Sequence, residues 1–209
     1  MSYRKLWIAL GFVVTISFAV LGGVGIKVLK SAPPIPSQVV TTDGRVLFDG
    51  STIQDGQGAW QSIGGQEVGT VWGHGAYIAP DWSADWLHRE CVFILDHWAK
   101  ESGAANYAAL GLEQRAALQA RLQQIMRHNT YDRATGQITL DPVRAQAFDE
   151  LYRYYSDIFS RGRDDYAIQP NALSDPVKLR QMSAFFWWTA WATSTNRPGT
   201  DVTLSLIHI

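Results

Sequence analysis

The residues best suited to chemistry in this 209-residue chain are five histidines, His74, His88, His97, His128 and His208, and one cysteine, Cys91. A lone thiol forms no internal disulfide. It also cannot supply the Cys-x-x-Cys-His of covalent haem attachment or a cysteine-borne structural zinc site. No two histidines stand in a His-x-x-x-His pair, and none follows the Glu-x-x-His pattern by which helical bundles hold paired iron. No Ser/His/Asp assembly can be argued from spacing. There is no Walker loop and no Gly-x-Gly-x-x-Gly after a strand. His88 and His97 ride on one predicted helix, where surface or satisfied roles are the default, and Cys91 falls on that helix's apolar stripe as a core residue. Taken alone, the residues show no active site.

The elements that would position such groups begin with Leu6 to Ile26, 21 consecutive apolar or small residues. At 1.5 Å rise per residue, about 20 residues cross the ~30 Å hydrocarbon layer, and inside lipid such a run must be helical. A cleavable signal peptide is the competing reading. Its apolar core is shorter and ends in a small-x-small site, whereas Lys27-Val28-Leu29-Lys30 stands there, so a retained anchor is expected. Arg4 and Lys5 before the run and Lys27 and Lys30 after it leave the orientation almost undecided by charge.

A proline-rich exit, Ser31 to Ser37, leads to Val39–Thr42 and Arg45–Phe48, joined by Asp43-Gly44. That pattern predicts a hairpin. Glycines 56, 58, 64, 65, 69, 73 and 75 then crowd the chain, with room for a short helix over Asp55–Ile63. Further helices are predicted from a Ser83 cap to about Lys100, over Leu112–Arg127, from Asp141-Pro142 to about Phe159, and from Asp175-Pro176 through Ala192. The apolar part of the last, about 11 residues long, is too short to span a membrane. With Trp187, Trp188 and Trp191 it is expected at the membrane surface or against neighbouring spans, leaving Phe185, Phe186, Trp187 and Trp188 an exposed apolar patch in the isolated chain. The charge balance, 18 basic against 19 acidic residues, carries no footprint for nucleic acid. Nine tryptophans suit a heavily buried domain, a membrane interface, or both.

One stretch is more specific: Gly64-Gly-Gln-Glu-Val-Gly-Thr-Val-Trp-Gly-His-Gly-Ala-Tyr-Ile-Ala-Pro-Asp-Trp82. It resembles the amino-terminal domain of quinol-dependent nitric oxide reductases, as do Asp-Gly-Gln-Gly-Ala-Trp-Gln upstream and Phe-Phe-Trp-Trp-Thr-Ala-Trp with Thr-Asn-Arg-Pro-Gly downstream. The resemblance covers residues 1 to about 203. It implies a mainly α fold: one transmembrane helix plus a cytochrome c-like helical domain with a short β-hairpin. In that family a small cytochrome c polypeptide looks fused to the catalytic one. Setting Gly73–Tyr77 on the related loop places Gly65-Gln-Glu-Val-Gly69 where a haem-binding pentad would stand, with both cysteines and the histidine gone and Thr70 kept. The expectation is a haem-free domain whose Trp, Tyr and Phe side chains fill the space. The resemblance also implies that Gly75 and Tyr77 serve a calcium ion at the contact with the catalytic part; the competing reading is a left-handed turn at Gly75 and simple packing for Tyr77.

The implied activity is reduction of two NO to N2O and water with electrons from membrane quinol, in denitrification or NO detoxification. Haem b, haem b3 and non-haem iron would lie in catalytic helices outside these residues, so no catalytic residue is assigned here. Expected partners are those helices, membrane lipid and quinol, with the soluble domain on the periplasmic side of the cytoplasmic membrane. The expected organisation is an anchor over 1–30, a periplasmic domain over 31–181, and an aromatic interfacial helix with lead-in over 182–203. Residues 204–209 read like a translated sequencing-library adapter, with a natural short terminus as the alternative. A membrane-anchored scaffold working through the surface around Phe185 to Trp191 is the competing functional class.

Overall fold

The computed structural model describes residues 3–197 and 203, with the side chains of 28–31 left out. Pro198 and Gly199 of the Thr-Asn-Arg-Pro-Gly motif, the adapter-like segment 204–209 and His208 lie outside the described residues. The chain divides into two units, Met1–Pro34 and Ile35–Ile209.

The first unit is helix α1, Tyr3–Ser31. Its apolar stretch, Tyr3–Lys27, is long and apolar enough to cross a membrane and has none of its residues buried within the protein. The hydroxyl of Thr15 donates to the Gly11 carbonyl at 2.8 Å, so this polar group is satisfied inside the helix, as lipid requires.

The second unit opens with the predicted hairpin, β1 (Gln38–Thr41) and β2 (Val46–Asp49), antiparallel around Gly44 at φ +87°. A third strand, β3 (Gln137–Leu140), pairs parallel with β1, Val39 opposite Ile138, giving the order β2-β1-β3. The alternation Gln-Ile-Thr-Leu after Gly136 is a short strand signal that the expected hairpin did not include; its partner lies about a hundred positions away in sequence.

Among the described residues this unit has five α-helices: α2 (Gly50–Ser62), α3 (Trp82–Glu101), α4 (Leu112–Arg127), α5 (Pro142–Arg161) and α6 (Pro176–Ser194). Asp141 and Asp175 cap α5 and α6 by accepting from the amides of Val143 and Val177, with proline at the first turn as expected. Two starts are corrected. α2 begins at Gly50 rather than near Asp55, because Asp49 caps it by accepting from the Thr52 amide at 2.9 Å. α3 is capped by Asp81, not Ser83: the Asp81 carboxylate accepts from the Ala84 amide at 3.0 Å.

The larger correction concerns α6. Every residue from Met182 to Ala192 is buried within the domain, including Phe185, Phe186, Trp187, Trp188 and Trp191. The expected exposed patch does not exist. A helix apolar all round belongs in an interior, and α2, α3 and α5 pack around this one. The helix runs unbroken across residues 181 and 182 as part of the same core.

Glycine makes one of these contacts possible. A Cβ built on Gly56 of α2 would stand 2.0 Å from the carbonyl oxygen of Gln181 on α6. Backbone cannot yield as a side-chain tip can, so Gly56→Ala is expected to separate α2 from α6 and destabilise the domain by about 1–3 kcal/mol or more. Urea unfolding would measure it, and an unchanged midpoint would refute this account of the packing.

Candidate functional site

The signature stretch forms a loop between α2 and α3, and one carboxylate organises it. The Oδ2 atom of Asp81 accepts from the Thr70 hydroxyl and from the Gly73 amide, both at 2.7 Å. The Thr70 hydroxyl oxygen accepts from the Gly75 amide at 2.8 Å. The Trp72 amide donates to the Ser83 hydroxyl at 3.2 Å, so Ser83 braces the loop instead of capping α3. Gly75 needs its residue type, at φ +84°. Asp81 therefore serves both as the α3 cap and as the staple of residues 70–75. The Ala-Pro-Asp-Trp order carried that signal.

On this frame Tyr77 is fully exposed, and Ile78 and Trp72 are about half exposed, the Trp72 indole N–H donating to the Thr189 carbonyl at 2.9 Å. The Gly75 carbonyl and the Tyr77 phenol are two neutral oxygen donors, against the roughly six to eight oxygens that calcium takes. Asp81, the nearest carboxylate in the loop, has both oxygens engaged. Among the described residues no group of three or more His, Cys, Asp and Glu is placed to hold a metal. His74, His88 and His128 are exposed and His97 is partly so, on separate surfaces of the loop, α3 and the end of α4.

The stretch Gly65–Val68 is a turn of 3₁₀ helix, closed against an indole. Trp82 is fully buried and its Nε1 donates to the Val68 carbonyl at 3.0 Å. A Cβ on Gly69, at φ +110°, would stand 2.3 Å from that nitrogen. Around Trp82 lie Phe186, stacked at 5.5 Å and 17°, Phe159 at 5.5 Å, and Tyr155 edge-on at 6.0 Å. Trp86 stacks on Tyr155 at 5.3 Å and 8°. A covalent c-type haem does not fit these residues. The pentad carries no thiol, and side-chain bulk lies directly against it.

Charge enters this interior at two places. The Tyr155 hydroxyl donates to Asp85 at 2.7 Å, and Asp85 also accepts from Arg89 at 2.8 Å. Burial, reinforced by the neighbouring Asp85 carboxylate, holds the Tyr155 phenol well above its ordinary pKa, so it stays protonated. Deeper still, Arg144 and Glu90 pair at 2.6 Å, with side chains 4% and 1% exposed, and Trp86 donates to the second Glu90 oxygen at 3.2 Å. These two residues are 54 positions apart and nothing in the sequence linked them. Neither arrangement sets a nucleophile beside a base. The Cys91 thiol is buried as expected, and burial pushes its pKa up to about 12.

A family model for the NorB cytochrome c-like domain of nitric oxide reductase matches residues 36–205. A search of curated proteins found no match.

The loop and the thiol each give an expectation. Asp81→Ala removes a helix cap and the staple together; it should lose more than the ~1 kcal/mol typical of a cap alone and speed amide hydrogen exchange at Gly73 and Gly75. Exchange unchanged at those two amides would contradict the stapling role. Since the thiolate is the reactive form, Cys91 should resist a disulfide reagent at pH 8 in the native chain and react readily in denaturant. Fast native labelling would show that the thiol is open to solvent.

Proposed function

The chain belongs to the NorB family of nitric oxide reductase proteins through its cytochrome c-like domain, and on that premise we propose that it is the membrane-anchored, haem-free cap of a quinol-dependent enzyme that reduces two NO to N2O and water. The carrying observation is the pentad Gly65–Gly69. It has no haem-binding thiol, and the Trp82 indole closes against it. Where a relative holds a porphyrin to receive electrons from a soluble cytochrome, this domain holds packed aromatic rings. A membrane quinol donor makes such a receiving haem dispensable.

The division of labour follows from what the side chains offer. Haem b, haem b3 and non-haem iron, the groups that would carry the redox chemistry, need histidine and carboxylate ligands projecting from facing helices. These are assigned to catalytic helices outside the present residues. The domain's own contribution is a rigid face: Tyr77, Ile78 and Trp72 project from a loop that its own hydrogen bonds hold in place, so little conformational entropy is lost when a partner covers them. We place the catalytic helices of the same enzyme against that face. Gly75 and Tyr77 would give two oxygens to a calcium ion there, and the partner would supply the rest of the donor set. Helix α1 supplies the anchor, and the domain is assigned to the periplasmic side. The scaffold alternative loses its proposed surface, because Phe185 to Trp191 are interior.

Three measurements test this. Produced alongside c-type cytochrome maturation machinery, the chain should give no c-type pyridine haemochrome; haem in stoichiometric amount would overturn the haem-free reading. Membranes carrying the complete enzyme should reduce NO with a quinol donor and no added soluble cytochrome; strict dependence on cytochrome c would overturn the quinol assignment. Protease added to spheroplasts should cut the domain, and full protection would reverse its placement.

A further inference from the structure

Two oxidisable rings lie stacked in the interior, and each presents its acidic proton to a carboxylate. Trp86 and Tyr155 are fully buried and stack at 5.3 Å and 8°. The Trp86 indole N–H donates to Glu90 at 3.2 Å, and the Tyr155 hydroxyl donates to Asp85 at 2.7 Å. Packing alone asks for neither carboxylate. A phenylalanine at 155 would fill nearly the same volume with no hydroxyl to satisfy, and burying polar and charged groups is costly.

The stack is continuous with a ring that reaches the surface. Tyr154, half-buried, stands edge-on to Tyr155 at 5.1 Å, and its hydroxyl accepts from Arg163 at 3.0 Å. On the inner side Trp82 meets Tyr155 at 6.0 Å, but its N–H is bonded to the Val68 carbonyl, which accepts a hydrogen bond and not a proton. An indole that loses an electron there keeps its positive charge in apolar surroundings, which burial disfavours. At Trp86 the Glu90 carboxylate offsets such a charge. Tyr155 is better placed still: Asp85 can take the phenolic proton and leave a neutral ring. Arg89 holds Asp85 in position at 2.8 Å and lays its guanidinium over the Tyr154 ring, 3.9 Å from the centre. A cation there disfavours positive charge on Tyr154, so this ring is oxidised only with loss of its own proton to solvent.

We propose that Trp86, Tyr155 and Tyr154, with Asp85 as proton acceptor, form a route that carries one-electron oxidising equivalents out of the aromatic interior to the surface. A strong one-electron oxidant of the nitrogen dioxide class, itself reduced to nitrite, takes an electron from Trp86 and leaves the indole radical cation. Tyr155 returns that electron and passes its phenolic proton to Asp85. Trp86 is then neutral, Tyr155 a neutral phenoxyl radical and Asp85 a carboxylic acid. Tyr154 next gives one electron to Tyr155 and one proton to solvent, while Asp85 hands its proton back, so the radical rests on Tyr154. There a hydroquinone or thiol donates one hydrogen atom and restores the phenol. The route spares the buried rings from irreversible oxidation, and it stands whether or not the chain serves NO reduction.

The test uses the full-length chain in detergent micelles. A laser flash photoionises the tryptophans, most of which are buried, and hexaamminecobalt(III) captures the ejected electrons, so oxidation starts within the core. Transient absorption should show the phenoxyl radical growing as the indole radical decays, at a rate independent of protein concentration and slower in heavy water. Tyr155→Phe should lose at least half of that phenoxyl. Asp85→Asn, which keeps a hydrogen-bond acceptor but no base, should slow its growth at least fivefold, and Tyr107→Phe, a tyrosine outside this stack, should change neither quantity. A purely structural role for Tyr155 and Asp85 moves none of these readouts. Circular dichroism checks that each variant is folded. Should Tyr155→Phe and Asp85→Asn unfold, Tyr154→Phe is read in their place: its phenoxyl, confined to the interior, should react with added glutathione at least fivefold more slowly than that of wild type. Absence of intramolecular phenoxyl growth, or growth equal in wild type and the folded variants of this route, overturns the proposal.

Discussion

A helix with no polar face must be surrounded, and α6 is such a helix. Its stretch from Met182 to Ala192 is buried on every side, so the rest of the domain serves as its solvent. Each of its buried phenylalanines contributes about 1.5–3 kcal/mol by leaving water. The tryptophans add ring contacts, Trp187 on Phe48 at 5.3 Å and Trp188 on Trp72 at 5.4 Å. The requirement reaches outward. α2 needs glycine at 56 to come close enough, and α3 and α5 present Trp82, Trp86, Tyr155 and Phe159 on their inner faces. Not every consequence is favourable: the indole N–H groups of Trp60 and Trp187 are buried without a partner, and such a group costs about 1–3 kcal/mol. Aromatic bulk outweighs that loss.

On the haem-free reading proposed above, the same interior supplies the bulk that a porphyrin would otherwise provide. The segment Gly65–Gly69 serves packing: Gly69 lets an indole approach its backbone, and Val68 gives that indole an acceptor. The loop beyond it keeps its shape through Asp81 and Thr70, a support that needs no bound group.

Local signals were legible in the sequence and non-local ones were not. Asp-Pro at 141 and 175, Asp-Gly at 43 and the stripe through Trp86, Cys91 and Ile94 each act over a few residues, and each produced the expected element. The placement of α6 failed because eleven apolar residues read identically whether lipid or protein surrounds them; only the partners on α2, α3 and α5 decide. Asp81 and Ser83 are both capping types two positions apart, and the loop's need for a carboxylate settled which one capped. The pairing of β3 with β1 and the Glu90–Arg144 pair depend on residues tens of positions apart, and periodicity carries no trace of such partners. Of the signature motif, the sequence identified the residues but not which would face outward: Tyr77 and Ile78 do, Trp82 does not.

The order of elements along the chain sets a timetable for assembly. Strand β1 at residues 38–41 waits for β3 at 137–140 to complete its sheet, and the whole aromatic interior waits for α6, the last of the described helices. Contacts of such long sequence separation form late and slowly. Chain emerging from the ribosome or a translocation channel thus shows Trp82, Trp86 and Phe159 to its surroundings until residue 194 has passed. A nascent polypeptide in that state is prone to aggregation at its uncovered apolar surface, so biogenesis of this domain favours holdase chaperones that shield those rings until α6 closes over them.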